Sequence, residues 1–349
     1  MKPKLLYIGE KIDKVSGGAE AINKRNQMLL EAFFAVTYIP LGYGVLAKFF
    51  LSVTKKCIKS IDEQLQNGAF KYVFVQQSLL GRACQHIKEK YPNVGIIAFF
   101  HNIEVQYAKE YIKTTGVKAL PFYLAVCYWE KMTCRYADYC ITLNERDSKL
   151  LKSYYHRDSD LELPTSFPDI FDEKKCERCL NANGAPIDYL FVGLSFFANV
   201  EAIQWFIDNV MPYVEGNLYI VGKGMDEVPF KNLTARVHVY GFVEDLSVFY
   251  YRARMVVSPI RVGGGMKTKT AEALMYGKTI LGSTEAFEGY EIDDRCMVLC
   301  NTSEEYVENI QKRISDMSHL NIASRIHFEK KYSNDIAMER FEKIMSVLC

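Results

Sequence analysis

Short apolar runs, rich in β-branched and aromatic residues, alternate along this chain with segments whose apolar positions recur every third or fourth residue. The runs suit strands buried on both faces, and the recurring positions suit helices with one buried face. In the first half this pattern predicts strands at Lys4–Ile8, Val36–Pro40, Tyr72–Val75, Gly95–Phe100 and Tyr139–Leu143. Between them it predicts helices at Gly18–Phe34, Val45–Leu65, Leu79–Lys90, Val105–Tyr136 (interrupted from Gly116 to Pro121) and Glu145–Tyr155. The pattern lapses from His156 to Pro186, where three prolines, many charges and an Asn-Ala-Asn-Gly run mark a linker or irregular hinge. It restarts with strands at Tyr189–Val192, Leu218–Val221, Val237–Tyr240, Met255–Ser258, Thr279–Gly282 and Met297–Leu299. Helices are expected at Asn199–Val214, Asp245–Tyr251 and Lys267–Tyr276, and helical pattern continues to the end.

Strand–helix alternation of this kind makes a parallel sheet covered on both faces. The expected fold class is therefore α/β, with two doubly wound, Rossmann-like units at 1–165 and 187–330, a hinge at 166–186, and a final helix at 331–349 packing back toward the first unit. Two such units imply a cleft, and ligands of doubly wound sheets bind beyond the carboxyl ends of the strands. Residues that follow strands carry the functional weight: Gly17, Gly18, His101, Gly193, Gly222 and the run Gly263, Gly264, Gly265.

Composition narrows the function classes. The 349 residues favour two domains over one. A net charge of +1, from 43 basic and 42 acidic side chains, argues against a nucleic-acid partner. The ten cysteines lie mostly within apolar periodic segments, as reduced thiols in a core do. Cys176 and Cys179 have the spacing of a metal-ligand pair, but no second pair accompanies them, so no metal is expected. The start MKPKLLYIGE has no apolar leader, and no segment is long and apolar enough to span a bilayer. These features predict a cytoplasmic protein, with attachment to the inner face of the membrane as an option.

The segment SPIRVGGGMKTKTAEALMYG, Ser258–Gly277, carries the most chemistry. Glycines let the main chain approach a ligand, and the start of a helix offers N–H groups to an anion. The amides of Gly265, Met266, Lys267 and Thr268 then read as a diphosphate cradle, with Lys267 and Lys269 in the first helical turn and Glu272 one turn later. A carboxylate at Glu272 can accept both hydroxyls of a ribose; the ordinary alternative is an ion pair with Lys269 on the same helix face.

Longer stretches resemble the GT-B glycosyltransferases, especially glycosyltransferase family 4. FVGLSFFANVEAIQWFIDNVMP, LYIVGKG and VYGFVEDLSVFYYRARMVVSPIRVGGGMKTKTAEALMYGKTILGS are similar, in this order, to the family's second domain. SGGAEAINKR, FFHNIEVQY and YWEKMTCRYADYCITLNERD are similar to its first. Many members carry two glutamates around the glycine-rich turn. Glu272 matches the second, and Gly264 stands where the first would fall, as in a triple-glycine variant of the family. The resemblance implies a nucleotide diphosphate-sugar as donor substrate with no separate cofactor, and a carbohydrate or lipid-linked acceptor in cell-surface polysaccharide or glycolipid synthesis. It implies catalysis by His101, Gly18 and Lys269, and donor contacts from Gly17, Gly193, Gly222, Lys223, Phe242, Gly264, Gly265, Met266, Lys267, Thr268 and Glu272. Asn102 and Glu288 are further candidates at the donor sugar or acceptor. It also implies retention of anomeric configuration without a metal. The alternatives are a catalytically inactive sugar-nucleotide-binding subunit and a GT-B nucleotide-sugar epimerase.

Several candidates have plain structural readings as well. His101 suits a satisfied buried histidine, Phe242 a core aromatic, and Glu288 a solvated loop acid. In the helix expected over 45–61, Leu46, Phe50, Val53, Cys57 and Ile61 share one face and Lys48, Lys55, Lys56 and Lys59 lie on or near the other. That arrangement fits an anionic membrane surface, or equally a surface helix with its apolar stripe on the core. The aromatic cluster at 107–139 fits an acceptor groove or ordinary core packing.

Overall fold

The structure, a computed structural model, describes residues 2–15, 18–41, 53–182, 187–263, 265–313 and 318–348. The chain divides into two compact units, Met1–Pro164 with Ala337–Cys349, and Thr165–Ile336. Each is built on one six-stranded sheet in which every pairing is parallel.

The first sheet contains β1 (Lys4–Ile8), β2 (Ala35–Ile39), β3 (Phe70–Val75), β4 (Gly95–Phe100), β5 (Tyr139–Thr142) and β6 (Leu161–Glu162), in the order β2-β1-β3-β4-β5-β6. Central strands are covered on both faces, which is why Leu5–Ile8 and Ile96–Phe100 read as unbroken apolar runs and are buried throughout. The connecting helices are α1 (Gly18–Phe33), α2 (Lys55–Asn67), α3 (Gly81–Lys90), α4 (Glu104–Thr115), α5 (Leu120–Tyr136) and α6 (Glu145–Tyr155).

The break expected at 116–121 is a 3-10 turn, Gly116–Ala119; Pro121 falls in the first turn of α5, where its missing N–H costs nothing. The helix expected from Val45 begins, within the described residues, only at Lys55. Thr54 is extended there and its side chain accepts from the Cys57 amide at 3.2 Å, a helix-starting cap. Residues 42–52, with Leu46, Lys48 and Phe50, lie outside the described residues. Val53, Cys57 and Ile61 are buried in the first unit's core, so this part of the apolar stripe is not a membrane face.

The second sheet contains β7 (Ile187–Val192), β8 (Leu218–Val221), β9 (Val237–Tyr240), β10 (Ala253–Ser258), β11 (Thr279–Gly282) and β12 (Met297–Leu299), in the order β12-β11-β10-β7-β8-β9. Its helices are α7 (Glu173–Asn181), α8 (Phe197–Asn209), α9 (Ser247–Arg252), α10 (Thr268–Met275), α11 (Ser303–Arg313) and α12 (Ile322–Lys331). The stretch 156–186, read from sequence as irregular, contains β6 and α7. Both are short, and β6 spans two residues, too few for periodicity to register. The last helix, α13 (Asn334–Leu348), places Phe341 against Phe33 of the first unit, ring centroids 5.9 Å apart.

One buried carboxylate organises the segment after β4. Ile103 has no side-chain oxygen to cap α4, and Glu130 of α5 substitutes for it, accepting from the amides of Glu104 (2.8 Å) and Val105 (3.0 Å). Ser78 Oγ and the Tyr155 hydroxyl donate to the same carboxylate, each at 2.7 Å. Replacing Glu130 by Ala strands four donors. It should lower unfolding free energy in urea titrations by roughly 3 kcal/mol or more, given about 1–3 kcal/mol per unsatisfied buried group.

Candidate active site

Strand order in the second unit reverses between β10 and β7, and a doubly wound sheet opens a crevice at such a point. The residues that leave β7, β8 and β10 converge there. Gly193 follows β7 and donates its amide to Val221 O at 3.0 Å; Gly222 follows β8 and donates to Tyr240 O at 3.1 Å. The two glycines are packed main chain against main chain: a Cβ on Gly222 would sit 1.8 Å from Gly193 O. The carbonyl of Lys223 accepts from the Ser195 amide at 3.1 Å, tying the two turns together. Beyond β9, Phe242 is 74% exposed, so the core-aromatic reading of this residue is wrong.

After β10 the chain passes through the glycine run into α10. Gly265 has φ +64, a conformation that favours glycine, and turns the chain so that buried Met266 leads into the helix. Gly264, like Gly17 in the first unit, lies outside the described residues. The residue at the cap position of α10 is Lys267, extended at φ −81 and ψ 107, and its own side chain makes no capping bond. The Tyr290 hydroxyl accepts from the Ala271 amide at 3.2 Å and donates to Lys267 O at 2.7 Å, and the Thr270 amide also turns back to Lys267 O at 3.0 Å. The amides of Thr268 and Lys269, which helix geometry leaves without an intrahelical partner, and the positive dipole end suit an anion at the sheet's switch point.

The two lysines have different fates. Lys267 Nζ donates to Glu285 Oε1 at 2.6 Å and to Gly265 O at 2.8 Å, so its charge is already compensated. The acid that meets it is Glu285, which sequence reasoning missed; Glu288, the acid singled out instead, is partly buried one helical turn on. Lys269 Nζ donates to Asn199 Oδ1 at 2.6 Å, lies 4.5 Å from the centroid of the Phe191 ring, and would be 3.0 Å from a Cβ on Gly193. Burial, then the nearby Lys267, push its pKa down to about 7, with Glu272 opposing.

Glu272 does not make the same-helix ion pair with Lys269. Its Oε2 accepts from the Tyr250 hydroxyl at 3.0 Å, and burial raises its pKa to about 7 against that hydrogen bond and the charge of Lys269. Asn199 and Tyr250 join the site through these contacts. Asn199 was detectable as the polar residue following the F-x-G segment, whereas nothing local marks Tyr250. Thr268 opens α10.

In the first unit the strand order turns between β1 and β3, and α1 begins at Gly18. His101 follows β4. Its Nε2 pairs with Asn23 Oδ1 at 2.9 Å and its ring stands edge-on to Phe99 at 4.9 Å. Burial, and then Arg25, lower its pKa to about 4, so the ring is neutral at neutral pH. Asn102 is partly exposed and hydrogen-bonds Glu104, whose pKa burial and the Glu130 charge raise to about 7. Among the described residues no group of His, Cys, Asp or Glu is placed to hold a metal ion, the Cys176–Cys179 pair included.

Two doubly wound parallel units of these strand orders constitute the GT-B fold, the class to which this structure belongs. Residues 186–316 match the family model of glycosyl transferases group 1, a match that lies within the second unit. Similar solved structures include a sucrose-phosphate synthase from Thermosynechococcus elongatus (16% identity, TM-score 0.79, 99% of each chain covered). A glycosyltransferase from Rickettsia africae is similar at 14% identity and TM-score 0.71, over 99% of this chain and 98% of that one. HepE of Anabaena in complex with UDP is similar at 14% identity and TM-score 0.66, over 99% of this chain and 100% of that one. At these identities the likeness is one of fold. No curated protein matches the sequence.

Gly222→Ala should force the β7 and β8 ends apart, with an overpacking cost of about 1–3 kcal/mol, and abolish pyrophosphate binding in calorimetry. Lys269→Met should leave the ligand-free melting temperature unchanged or higher, because it removes a desolvated charge, while weakening pyrophosphate binding. The sign with pH follows from the same shift. An anion beside Lys269 favours its protonated form, so binding takes up a proton, and wild-type affinity should fall from pH about 7 to about 9 while the Met variant's stays flat.

Proposed function

We propose that this protein is a glycosyltransferase that moves a sugar from a nucleotide diphosphate-sugar to a hydroxyl of a carbohydrate or lipid-linked acceptor. The observation that carries the reading is the glycine-led start of α10 at the β7/β10 switch point, where the cap residue's own side chain bonds no amide, with Lys269 turned toward Gly193 and Glu272 one turn behind. The group 1 match supports it, as does the binding of UDP and UDP-glucose by HepE.

In this reading the amides of Gly265, Met266, Lys267 and Thr268 hold the diphosphate. Lys269, taking up a proton, stabilises the charge that develops as the diphosphate leaves. Glu272, ionised and steadied by Tyr250, accepts the ribose hydroxyls. Gly193, Gly222, Lys223 and Phe242 face the nucleoside, with the exposed ring of Phe242 offering a stacking surface. Neutral His101 and the amide of Gly18 are assigned to the transferred sugar; a neutral imidazole hydrogen-bonds a hydroxyl without acting as an acid. Asn102 and Glu288 are assigned to the donor sugar or acceptor. Retention of configuration, and a role in cell-surface polysaccharide or glycolipid synthesis, belong to the same proposal.

A thermal-shift panel of UDP, GDP, ADP and NAD should give a clear rise with one diphosphate and none with NAD, since a ligand that binds the native state stabilises it by mass action. The purified chain should hydrolyse the matching nucleotide-sugar slowly, at a rate unaffected by chelator. Glu272→Ala should abolish this hydrolysis, and His101→Ala should lower kcat more than it weakens diphosphate binding. Tight binding without turnover of any donor would favour the inactive-subunit reading.

A further inference from the structure

α5 turns one face into the first unit, where Val126, Glu130, Thr133 and Cys134 are buried. The opposite stripe is Leu120, Leu124, Tyr128, Lys131 and Arg135, each about one turn from the next and all exposed. Its leading half is apolar: Leu120, Leu124 and Tyr128 are 46%, 57% and 54% exposed, and Val117, just ahead of the helix, is 84% exposed. Tyr107 and Tyr111 of α4 extend the patch, their rings stacked at 6.4 Å and 9°, with Phe122 edge-on to Tyr111 at 5.8 Å. The core-packing reading of this aromatic cluster therefore fails for Tyr107, Tyr111 and Tyr128. Scattered exposed apolar residues need no explanation, whereas a contiguous patch does.

Along α5 the exposed charges have one sign. Lys118, Lys131 and Arg135 are exposed, and the one acid in the sequence of α5, Glu130, is buried beneath it and fully engaged with four donors. An apolar and tyrosine-bearing strip with cations at both ends matches the layered chemistry of an anionic bilayer surface. Leucine and valine fit the acyl boundary, tyrosine fits the headgroup level, and lysine and arginine reach lipid phosphates. A second copy fits less well, because a two-fold interface on the α5 stripe would oppose like-charged ends, and α5 itself exposes no acid to pair with them.

We propose that the α4–α5 face docks the protein on a membrane surface rich in anionic lipid, with Val117, Leu120, Leu124 and Tyr128 inserted and Lys118, Lys131 and Arg135 on the headgroups. This proposal is independent of the donor-site reading. The full chain should cosediment with phosphatidylcholine vesicles containing phosphatidylglycerol at least about tenfold more than with phosphatidylcholine alone, and added salt should reduce the difference. The variants L124E/Y128E and K131E/R135E should each lose this binding while keeping the wild-type melting temperature, and K56E/K59E on α2 should keep the binding. Absence of wild-type binding to the anionic vesicles would overturn the proposal. So would full retention by L124E/Y128E, loss only in K56E/K59E, or a wild-type dimer in light scattering that L124E/Y128E disperses.

Discussion

The second unit depends on how the start of one helix is held. α10 begins with Lys267 where a serine, threonine or aspartate would ordinarily bond the first amides, and the Tyr290 hydroxyl instead bridges the Ala271 amide and Lys267 O. A protein selected for stability alone would fill this position with a capping residue. The turn before it, with Gly265 at positive φ and Met266 buried, fixes the direction of those amides. The bare contact of Gly193 with Gly222 then brings the neighbouring strand ends close enough to share the crevice. A side chain on Gly222 would run into the main chain of Gly193, and one on Gly193 would press on Asn199 and Lys269.

Electrostatics divides the work between two lysines only two residues apart. Lys267 is held by Glu285, so it serves the shape of the turn. Lys269 is desolvated and repelled by Lys267, and the Asn199 carboxamide oxygen, the Phe191 ring and the charge of Glu272 offset this only in part. Glu272 shows the same tension with opposite sign. Both groups are displaced toward neutrality because burial penalises their charged forms, unlike a surface ion pair, whose charges stay solvated.

The first unit solves a related problem differently. The helix that follows β4 also starts without a cap of its own, but here Glu130 closes the amides from α5. That difference makes α4 a rigid support for His101 and Asn102 rather than an anion site. It also leaves the outer faces of α4 and α5 free to carry apolar and basic side chains that do nothing for the fold.

Strand positions were legible because strands buried on both faces need continuous apolar runs; β1, β4, β8, β9, β11 and β12 lie at the expected residues. The glycine-rich turn into α10 was legible because glycine freedom and a helix start are local properties. Sequence periodicity was silent on β6, too short to repeat, and on the cap at Thr54 that starts α2. It could not tell which acid meets Lys267, that Lys269 reaches Asn199 rather than Glu272, or that Glu130 caps a helix twenty-six residues away. Nor could it tell which of two lysine-bearing helices keeps its apolar stripe exposed. By itself the sequence determined the order of the main elements, the parallel α/β class and the glycine-rich turn that leads into α10, because these follow from short-range periodicity and backbone freedom. Partners, burial and the resulting pKa values were decided only by the tertiary structure, because they depend on which distant side chains share the same few ångströms.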